Sequence, residues 1–354
     1  MVRNTLVGKV KETIAKLPRH AQKDETVITN ALINAFIQVE TLWIESVMAL
    51  ENELTQRKKA TVGACALYIL IKDNILYVAN AGDCRAVMGK LRHPAKPASA
   101  PPSLIPSPHP SSTAVYEAIP MSLDHNAREE REHARLRKAH PGEDEDIVLC
   151  YHGGRACYVK GRLQPSRAFG DIHLKLDDFG PDDEDIAWTP PYVSAIPEVA
   201  SIALNRLDHF LVLASDGLWD VFENEEVVSL VAGWREEGRE GGAIATLLVE
   251  AALERVADSL GMSVEELGRV KEGRERRRKH DDITVVVVLL EEERKGECPL
   301  EGSQAWEEEI SGEVDDFVYP EDEGGAEGGA EGGIEGGGEG RPDLMSLDEG
   351  RKEL

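Results

Sequence analysis

The clearest strand signal in the sequence is a run of eight almost entirely apolar residues, ITVVVVLL, at 283–290. Valine and isoleucine favour strands, and a continuous apolar run is typical of a strand buried on both faces. A similar run, HFLVLA, occupies 209–214, and two shorter runs within 64–79 are separated by an Asp-Asn turn. The sequence therefore predicts a central strand at 283–290, a buried strand at 209–214 and a hairpin at 64–79.

Helical periodicity precedes and follows these strands. Apolar residues recur at helical spacing in 5–17 and along one broad stripe of 25–55, so two N-terminal helices are expected. A charged helix is expected at 126–140, another begins near 225, and an amphipathic helix covers 243–257. Helices are thus expected on both sides of the strands in the sequence.

Two segments differ in composition from the rest of the chain. Seven of the 18 prolines lie between residues 94 and 110, and proline both fixes φ and removes a backbone donor. We therefore expect a surface loop at 91–117, inserted between two core strands. Residues 324–340 repeat Gly and Glu, a composition that cannot bury apolar surface. The interpretation is a folded domain at 1–290 and a disordered acidic tail at 291–354.

Charge and composition exclude several classes of function. The net charge is −26, and residues 291–354 contribute −17 of it through 22 acids and 5 bases. Both parts of the chain repel a phosphate backbone, so we expect no nucleic-acid partner. No stretch reaches the roughly 18 to 20 consecutive apolar residues of a membrane span, and the basic N-terminus lacks the apolar core of a secretory signal. We expect an intracellular monomer, in the cytoplasm, nucleus or mitochondrion.

The cysteines indicate a reducing compartment. Their number is odd and no two form a CxxC pair, so free and mostly buried thiols are the simplest interpretation. The spacing does not match that of a zinc site. The five are Cys65, Cys84, Cys150, Cys157 and Cys298.

Aspartates concentrate at the ends of the expected strands. Mg²⁺ and Mn²⁺ take oxygen ligands, so clustered carboxylates are what such ions require. Each segment alone is more often a turn or a solvent-facing pair, whereas the four together favour a cation site. The segments are NAGD ending at Asp83, LDHN with Asp124, SDGLWD with Asp216 and Asp220, and HDDIT with Asp281 and Asp282.

The order of these motifs resembles that of the PPM family, the type 2C metal-dependent serine/threonine protein phosphatases. Six segments match in the family's own order, from about residue 61 to 290. The likeness is greatest to pyruvate dehydrogenase phosphatase-like and plant-type members. The matching segments are NAGDCRAV, SLDHNAREE, VKGRLQPSRAFGD, PYVSAIPEV, FLVLASDGLWD and DDITVVVV.

The resemblance implies an α/β sandwich, in which two mainly antiparallel sheets pack face to face with helices outside. It implies hydrolysis of phosphoserine or phosphothreonine in phosphorylated protein substrates, by water that two or more Mg²⁺ or Mn²⁺ ions activate. By resemblance, Asp216 and Asp281 ligate the metal pair, and Asp124 and Asp220 match acids near a further, weaker metal. The matched residues expected to form a buried polar network are Asp83, Arg85, Arg167 and Asp171.

One motif of the family is not found in this sequence. Members carry Asp-Gly-His-Gly on a strand before the first long helix, and residues 1–60 contain no such motif. We therefore expect a fold without its N-terminal strands, weak metal binding and little turnover. An enzyme whose sequence is incompletely recorded is the first hypothesis, and a catalytically dead pseudophosphatase that binds phosphoprotein or a partner is the second. The motif order argues against a third, an acidic-tailed interaction protein without a metal site.

Overall fold

The computed structural model describes residues 2–92, 114–143, 146–151, 153–154, 156–181 and 187–290. These residues all belong to one compact unit. The centre of the expected proline-rich loop and the whole expected tail, 291–354, lie outside the described residues.

Two antiparallel sheets form the centre of the fold. Sheet I has the strand order β11-β10-β4-β5, and sheet II has the order β2-β3-β9. Two further pairings, β1 with β8 and β6 with β7, each contain two strands. The strands are β1 Gly63–Ala64, β2 Ala66–Lys72, β3 Ile75–Ala81, β4 Arg85–Leu91, β5 Tyr116–Pro120, β6 Val148–Tyr151, β7 Ala156–Val159, β8 Phe169–Gly170, β9 Glu198–Ala203, β10 Asp208–Ala214 and β11 Val285–Leu289.

Alternation along the strands explains why the two sheets pack face to face. In β10, Leu211 and Leu213 join Leu76 and Val78 of β3 in a cluster between the sheets. Phe210 and its neighbours on the opposite face of β10 pack instead against helices. Successive side chains of a strand point to opposite faces, so one apolar strand serves both the inter-sheet core and the helix layer.

The helices form the two outer layers, which completes the predicted α-β-β-α sandwich. Helices α1 and α2 pack on sheet II through Leu6, Ile28 and Phe36. Helices α6 and α7 pack on sheet I through Val227 and Ile244. The helices are α1 Val2–Lys16, α2 Glu25–Met48, α3 Glu53–Ala60, α4 Glu130–Ala139, α5 Asp216–Trp219, α6 Asn224–Glu236, α7 Gly241–Ser259, α8 Val264–Gly268 and α9 Arg274–Arg277.

Helix α2 is the longest helix of the described residues. By length and composition alone it could cross a membrane. However, Ile28, Leu32 and Phe36 are fully buried in the protein core. Its apolar stripe therefore serves packing on sheet II, as expected for a core helix.

The first hairpin forms where the sequence predicts it. Strands β2 and β3 pair from Ala66 with Ala81 to Lys72 with Ile75. The two residues between them, Asp73 and Asn74, both have positive φ, at 51° and 68°. Asp and Asn tolerate this conformation better than most residues, which explains the Asp-Asn turn.

The prediction that residues 283–290 form a central strand was wrong. Among the described residues, β11 pairs only with β10 and lies at the edge of sheet I. Val286 is 51% exposed, so the strand is not buried on both faces. A continuous apolar run can therefore mark an edge strand whose outer face is partly uncovered.

The segment between β4 and β5 is slightly shorter than the insertion expected at 91–117. Strand β4 extends to Leu91 and β5 begins at Tyr116, and the two strands are neighbours in sheet I. The segment between them therefore joins two core strands, as expected. Its residues 93–113 lie outside the described part of the chain.

The expectation that all cysteines are free was wrong for one pair. Cys150 of β6 and Cys157 of β7 lie opposite each other across their hairpin and form a disulfide. Cys65 and Cys84 are free, as expected. A disulfide is uncommon in reducing compartments, so this pair weakens the inference of location from the cysteines.

Candidate metal centre

The candidate ligands lie next to strand ends that meet at one edge of sheet I. The last residue of β10, Ala214, pairs with Arg85 at the start of β4 and with Val285 at the start of β11. Because antiparallel neighbours run in opposite directions, the chain leaves β10 where it enters β4 and β11. The aspartates beside these three ends are Asp83, Asp216 and Asp281.

Hydrogen bonds of Ser215 hold the segments after β10 and before β11 together. Its Oγ donates to the carbonyl oxygen of Asp282 over 2.9 Å and accepts from the backbone N–H of Thr284 over 3.0 Å. A Cβ on Gly217 would lie 2.6 Å from that same carbonyl oxygen. The Ser-Asp-Gly sequence therefore permits the close approach that brings Asp216 and Asp281 to one site.

The turn between β3 and β4 presents Asp83. Gly82 has φ +131° and no room for a Cβ, which would lie 2.4 Å from Cys65 Sγ. The side-chain amide of Asn80 braces the turn by donating to the carbonyl oxygens of Gly82, Cys84 and Leu123 at 2.9 to 3.0 Å. Asp83 is thereby fixed in a buried position at the edge of sheet I.

The carboxylates of this edge repel one another. Burial, followed by the negative charges of Asp83, Asp281 and Asp220, raises the pKa of Asp216 to about 7. Burial also raises the pKa of Asp220, against the lowering effect of Arg128 and together with the charges of Asp83 and Asp281. Each group therefore lies within electrostatic reach of the others.

No lysine or arginine among the described residues forms an ion pair with Asp83, Asp216 or Asp220. A partly buried group of carboxylates without a compensating cation is unfavourable. A hard divalent cation with oxygen ligands would offset that repulsion. The donor set therefore fits Mg²⁺ or Mn²⁺.

The other two predicted ligands have partners of their own. Arg85 donates from Nε to Asp124 Oδ1 over 3.0 Å and from Nη2 to Asp124 Oδ2 over 2.6 Å. Asp281 is half exposed, and its Oδ1 lies 3.7 Å from Arg277 Nη2. Asp281 thus remains accessible at the rim, whereas both oxygens of Asp124 are engaged.

The family model for protein phosphatase 2C matches residues 3–259. This match covers most of the chain. The chain belongs to the protein phosphatase 2C family. Asp216 and Asp220 lie inside the matched range, and Asp281 lies beyond its end.

Relatives of this protein phosphatase 2C chain include plant and human proteins. "Probable protein phosphatase 2C 48" from Arabidopsis thaliana is 32% identical over 263 residues, which cover 73% of this chain and 61% of that protein. The human mitochondrial "[Pyruvate dehydrogenase [acetyl-transferring]]-phosphatase 2" is 34% identical over 228 residues, covering 58% of this chain and 38% of that protein. The chain thus spans less than two thirds of the length of these relatives.

Solved structures of similar fold agree with the sandwich. A serine-threonine phosphatase 2C from Toxoplasma gondii superposes with a TM-score of 0.53 at 18% identity, covering 81% of this chain and 79% of the other. At this identity the likeness supports the fold alone.

A second group of charged residues lies in the core of this protein phosphatase 2C domain. Ligand atoms of His125, Glu132 and Glu198 lie within 4.8 Å of one another, a spacing that could hold a cation. However, Arg167 Nη2 already lies 3.6 Å from Glu132 and 3.5 Å from Glu198. Arg135 Nε donates to Glu132 over 3.0 Å. We interpret this group as an ion-pair network, because its carboxylates are already compensated.

The expected polar network of four matched residues is divided among separate sites. Arg85 binds Asp124 and Asn224, and Arg167 belongs to the group around Glu132. Burial raises the pKa of Asp171 to about 6, beside Lys175 and Glu40. The fourth, Asp83, accepts hydrogen bonds from Asn126 Nδ2 and Cys65 Sγ, and its charge acts on Asp216. Its position after a strand and a glycine was the sequence signal.

Proposed function

We propose that the chain forms the catalytic domain of a metal-dependent phosphatase that hydrolyses phosphoserine and phosphothreonine in proteins. The observation that carries the proposal is the mutual repulsion of Asp83, Asp216, Asp220 and Asp281, of which only the rim residue Asp281 has an ion pair among the described residues, in a member of this family. Two or more Mg²⁺ or Mn²⁺ ions are the proposed cofactors.

The proposed ligands are Asp216, Asp220 and Asp281, and Asp83, whose oxygens accept from Asn126 Nδ2 over 3.1 Å and Cys65 Sγ over 3.2 Å, adds its negative charge to the site. Bound divalent ions of this kind lower the pKa of a coordinated water and balance negative charge on a phosphoryl group. Ser215 and Gly217 hold the segment that carries Asp216 against the segment that carries Asp281. Asp124 stays a prediction, and we expect it to reach a metal only through water because Arg85 engages both its oxygens.

The substrate class and the location rest on the relatives. Their printed names describe protein phosphatases, and one of them is mitochondrial. We propose phosphoproteins as substrates and an intracellular location.

The test combines metal binding and phosphate release. We expect millimolar Mn²⁺ to raise the melting temperature of the purified chain and to support release of phosphate from a phosphothreonine peptide. Asp216→Asn should abolish both effects, since it removes a ligand charge while keeping the shape. The matched control is Asp258→Asn on the exposed side of α7, which should change neither.

Two outcomes would reject the proposal in different ways. Mn²⁺ binding that depends on Asp216, without any phosphate release, would favour the pseudophosphatase, which binds phosphoprotein without hydrolysing it. A melting temperature that does not respond to Mn²⁺ or Mg²⁺ would show that the carboxylate group is not a metal centre.

A further inference from the structure

A basic segment directly precedes the candidate ligand Asp281. Residues 269–280 contain seven Lys or Arg and two Glu, a net charge of +5, within a chain whose net charge is −26. A run of bases is more often a solvated surface than a binding site. Here, however, the run ends directly before a residue of the candidate metal centre.

One base, Arg276, fixes the conformation of the segment through hydrogen bonds to the backbone. Arg276 donates from Nη2 to the carbonyl oxygens of Gly268 over 3.1 Å and Val270 over 2.8 Å. These acceptors lie at and just after the C-terminal end of α8, where backbone carbonyls lack helical partners. Gly273 has φ +97°, a conformation that glycine adopts without cost and that permits the turn into α9.

Four of the other bases are presented to solvent. Lys271, Arg274 and Arg278 are exposed and form no ion pair in the described part of the chain. Arg277 is 68% exposed and lies 3.7 Å from Asp281 Oδ1. Neighbouring like charges on a short segment repel one another, so the stability of the fold does not account for this group.

The geometry sets a distance from the metal centre. Helix α9 has four residues and is therefore about 6 Å long, at 1.5 Å per residue. An extended peptide advances about 3.3 Å per residue. Because Arg277 at the end of α9 lies 3.7 Å from Asp281, we expect the exposed bases of this helix to reach side chains roughly two to four residues from a residue held at Asp281.

We propose that Lys271, Arg274, Arg277 and Arg278 form a docking surface for acidic residues that flank the phosphorylated residue of a protein substrate. The proposal rests on the proposed function, because it names the substrate class of that same site. Complementary charge at the rim of a site attracts its partner and selects among partners. The surface therefore gives an acidic protein a preference for acidic phosphosites.

An anionic membrane surface is the main competing partner for such a cluster. Helices that bind membranes present an apolar face below their basic residues. The segment from 271 to 279 contains no large apolar side chain. A peptide with acidic side chains is therefore the better match.

The experiment measures equilibrium binding of two fluorescent phosphothreonine peptides by anisotropy, with the full chain and Mn²⁺. The peptides are identical except for Glu or Gln at the two to four positions on each side of the phosphothreonine. We expect the Glu peptide to bind on the order of tenfold more tightly in low salt, with the preference shrinking as salt screens the charges.

Charge reversal locates the surface. Lys271→Glu/Arg274→Glu/Arg278→Glu should remove the preference, and it leaves the anchoring Arg276 and the rim residue Arg277 unchanged. The matched control, Lys11→Glu/Lys58→Glu/Lys59→Glu on exposed positions of α1 and α3, should keep it within about twofold. Circular dichroism verifies that both variants are folded.

Each outcome separates this proposal from the proposed function. Hydrolysis of para-nitrophenyl phosphate, which has no flanking residues, reports the metal centre alone. A preserved Glu preference without that hydrolysis would reject the phosphatase but keep the docking surface. Equal binding of both peptides, or an unchanged preference in the charge-reversed variant, would overturn the docking surface. Loss of binding to phosphatidylserine vesicles in that variant, with equal peptide binding, would assign the surface to lipid instead.

Discussion

Two groups of carboxylates in this domain have pKa values shifted in opposite directions, although Glu132 of the core group is the more deeply buried. At the candidate metal centre, the pKa of Asp216 rises to about 7. In the core, burial also opposes the ionisation of Glu132, yet Arg135, Arg167, His125 and a hydrogen bond from Ser166 lower its pKa to about 2. The difference is therefore the presence of partners rather than the degree of burial.

This difference shows which group depends on something outside the chain. The core network contains its own cations, and Ser166 Oγ donates to Glu132 over 2.6 Å. The candidate metal centre brings Asp83, Asp216 and Asp220 together without an ion-paired base in the described part of the chain, and its rim residue Asp281 is paired with Arg277 at 3.7 Å. Residues arranged for function commonly reduce stability in this way. We therefore expect that removing a carboxylate of the core network destabilises the folded protein. Removing one at the candidate metal centre should stabilise it in metal-free buffer.

The largest effect should come from removing a carboxylate of the core network. Glu132→Ala leaves Arg167 buried without its main partner, and breaking a buried ion pair costs about 3–5 kcal/mol. We expect the free energy of unfolding in urea to fall by that amount. The control is Glu117→Ala, whose partner Arg92 is exposed, with a loss below about 1 kcal/mol. Equal losses in both variants would show that the network does not contribute to stability.

The second largest effect should come from acid pH, which weakens the core network. The pKa values of Glu132 and Glu198 are each lowered to about 2 in the folded chain, so their stabilisation is present above the unfolded pKa of about 4.5. It is lost as the pH falls from about 4.5 towards 2, by about 2 kcal/mol for Glu132 between pH 5 and pH 3. Urea titrations at several pH values measure this loss. In Glu132→Gln the slope should be smaller, and parallel curves for variant and parent would contradict the assignment.

A smaller effect of opposite sign is expected at the metal centre. In metal-free buffer, Asp216→Asn removes repulsion with Asp83, Asp220 and Asp281, so the free energy of unfolding should rise by about 1–2 kcal/mol. With millimolar Mn²⁺ the order should reverse, because the parent gains the energy of metal binding. Asp258→Asn should change stability by less than about 0.5 kcal/mol. A destabilised Asp216→Asn in metal-free buffer would mean that Asp216 already has a stabilising partner.

The strand-end aspartates show how much of the site the sequence could predict. Short apolar runs located β10 and β11, and the acids beside them, Asp216 and Asp281, share one edge of sheet I. Local periodicity is sufficient for this, because strand ends follow from residues adjacent in the sequence. It could not show that β11 lies at an edge, since that depends on which strands are its neighbours.

Pairing between distant residues was beyond the reach of the sequence. Glu132 and Glu198 lie 66 residues apart, and only folding brings both to Arg167. The disulfide between Cys150 and Cys157 likewise depends on the register of β6 and β7. Whether an aspartate is compensated is decided by such contacts, so sequence motifs alone could not separate Asp83 from Asp124.

The smallest expected effect is a difference in Mn²⁺ affinity between variants of two aspartates, to which the family resemblance gives the same role. Asp124 and Asp220 both match acids near a weaker metal, but Arg85 holds both oxygens of Asp124 at 3.0 and 2.6 Å, whereas the pKa of Asp220 is raised by burial and by neighbouring acids.

By this contrast Asp124 belongs with the compensated carboxylates. Asp124→Asn should change the affinity for Mn²⁺, measured by calorimetry, by no more than about twofold, since its charge is already balanced by Arg85. Asp220→Asn should weaken Mn²⁺ binding about tenfold, because an uncompensated carboxylate contributes its full charge to a bound cation. If Asp124→Asn weakened binding as much as Asp220→Asn, Arg85 would have to release Asp124 when metal binds, and the two aspartates would share one role.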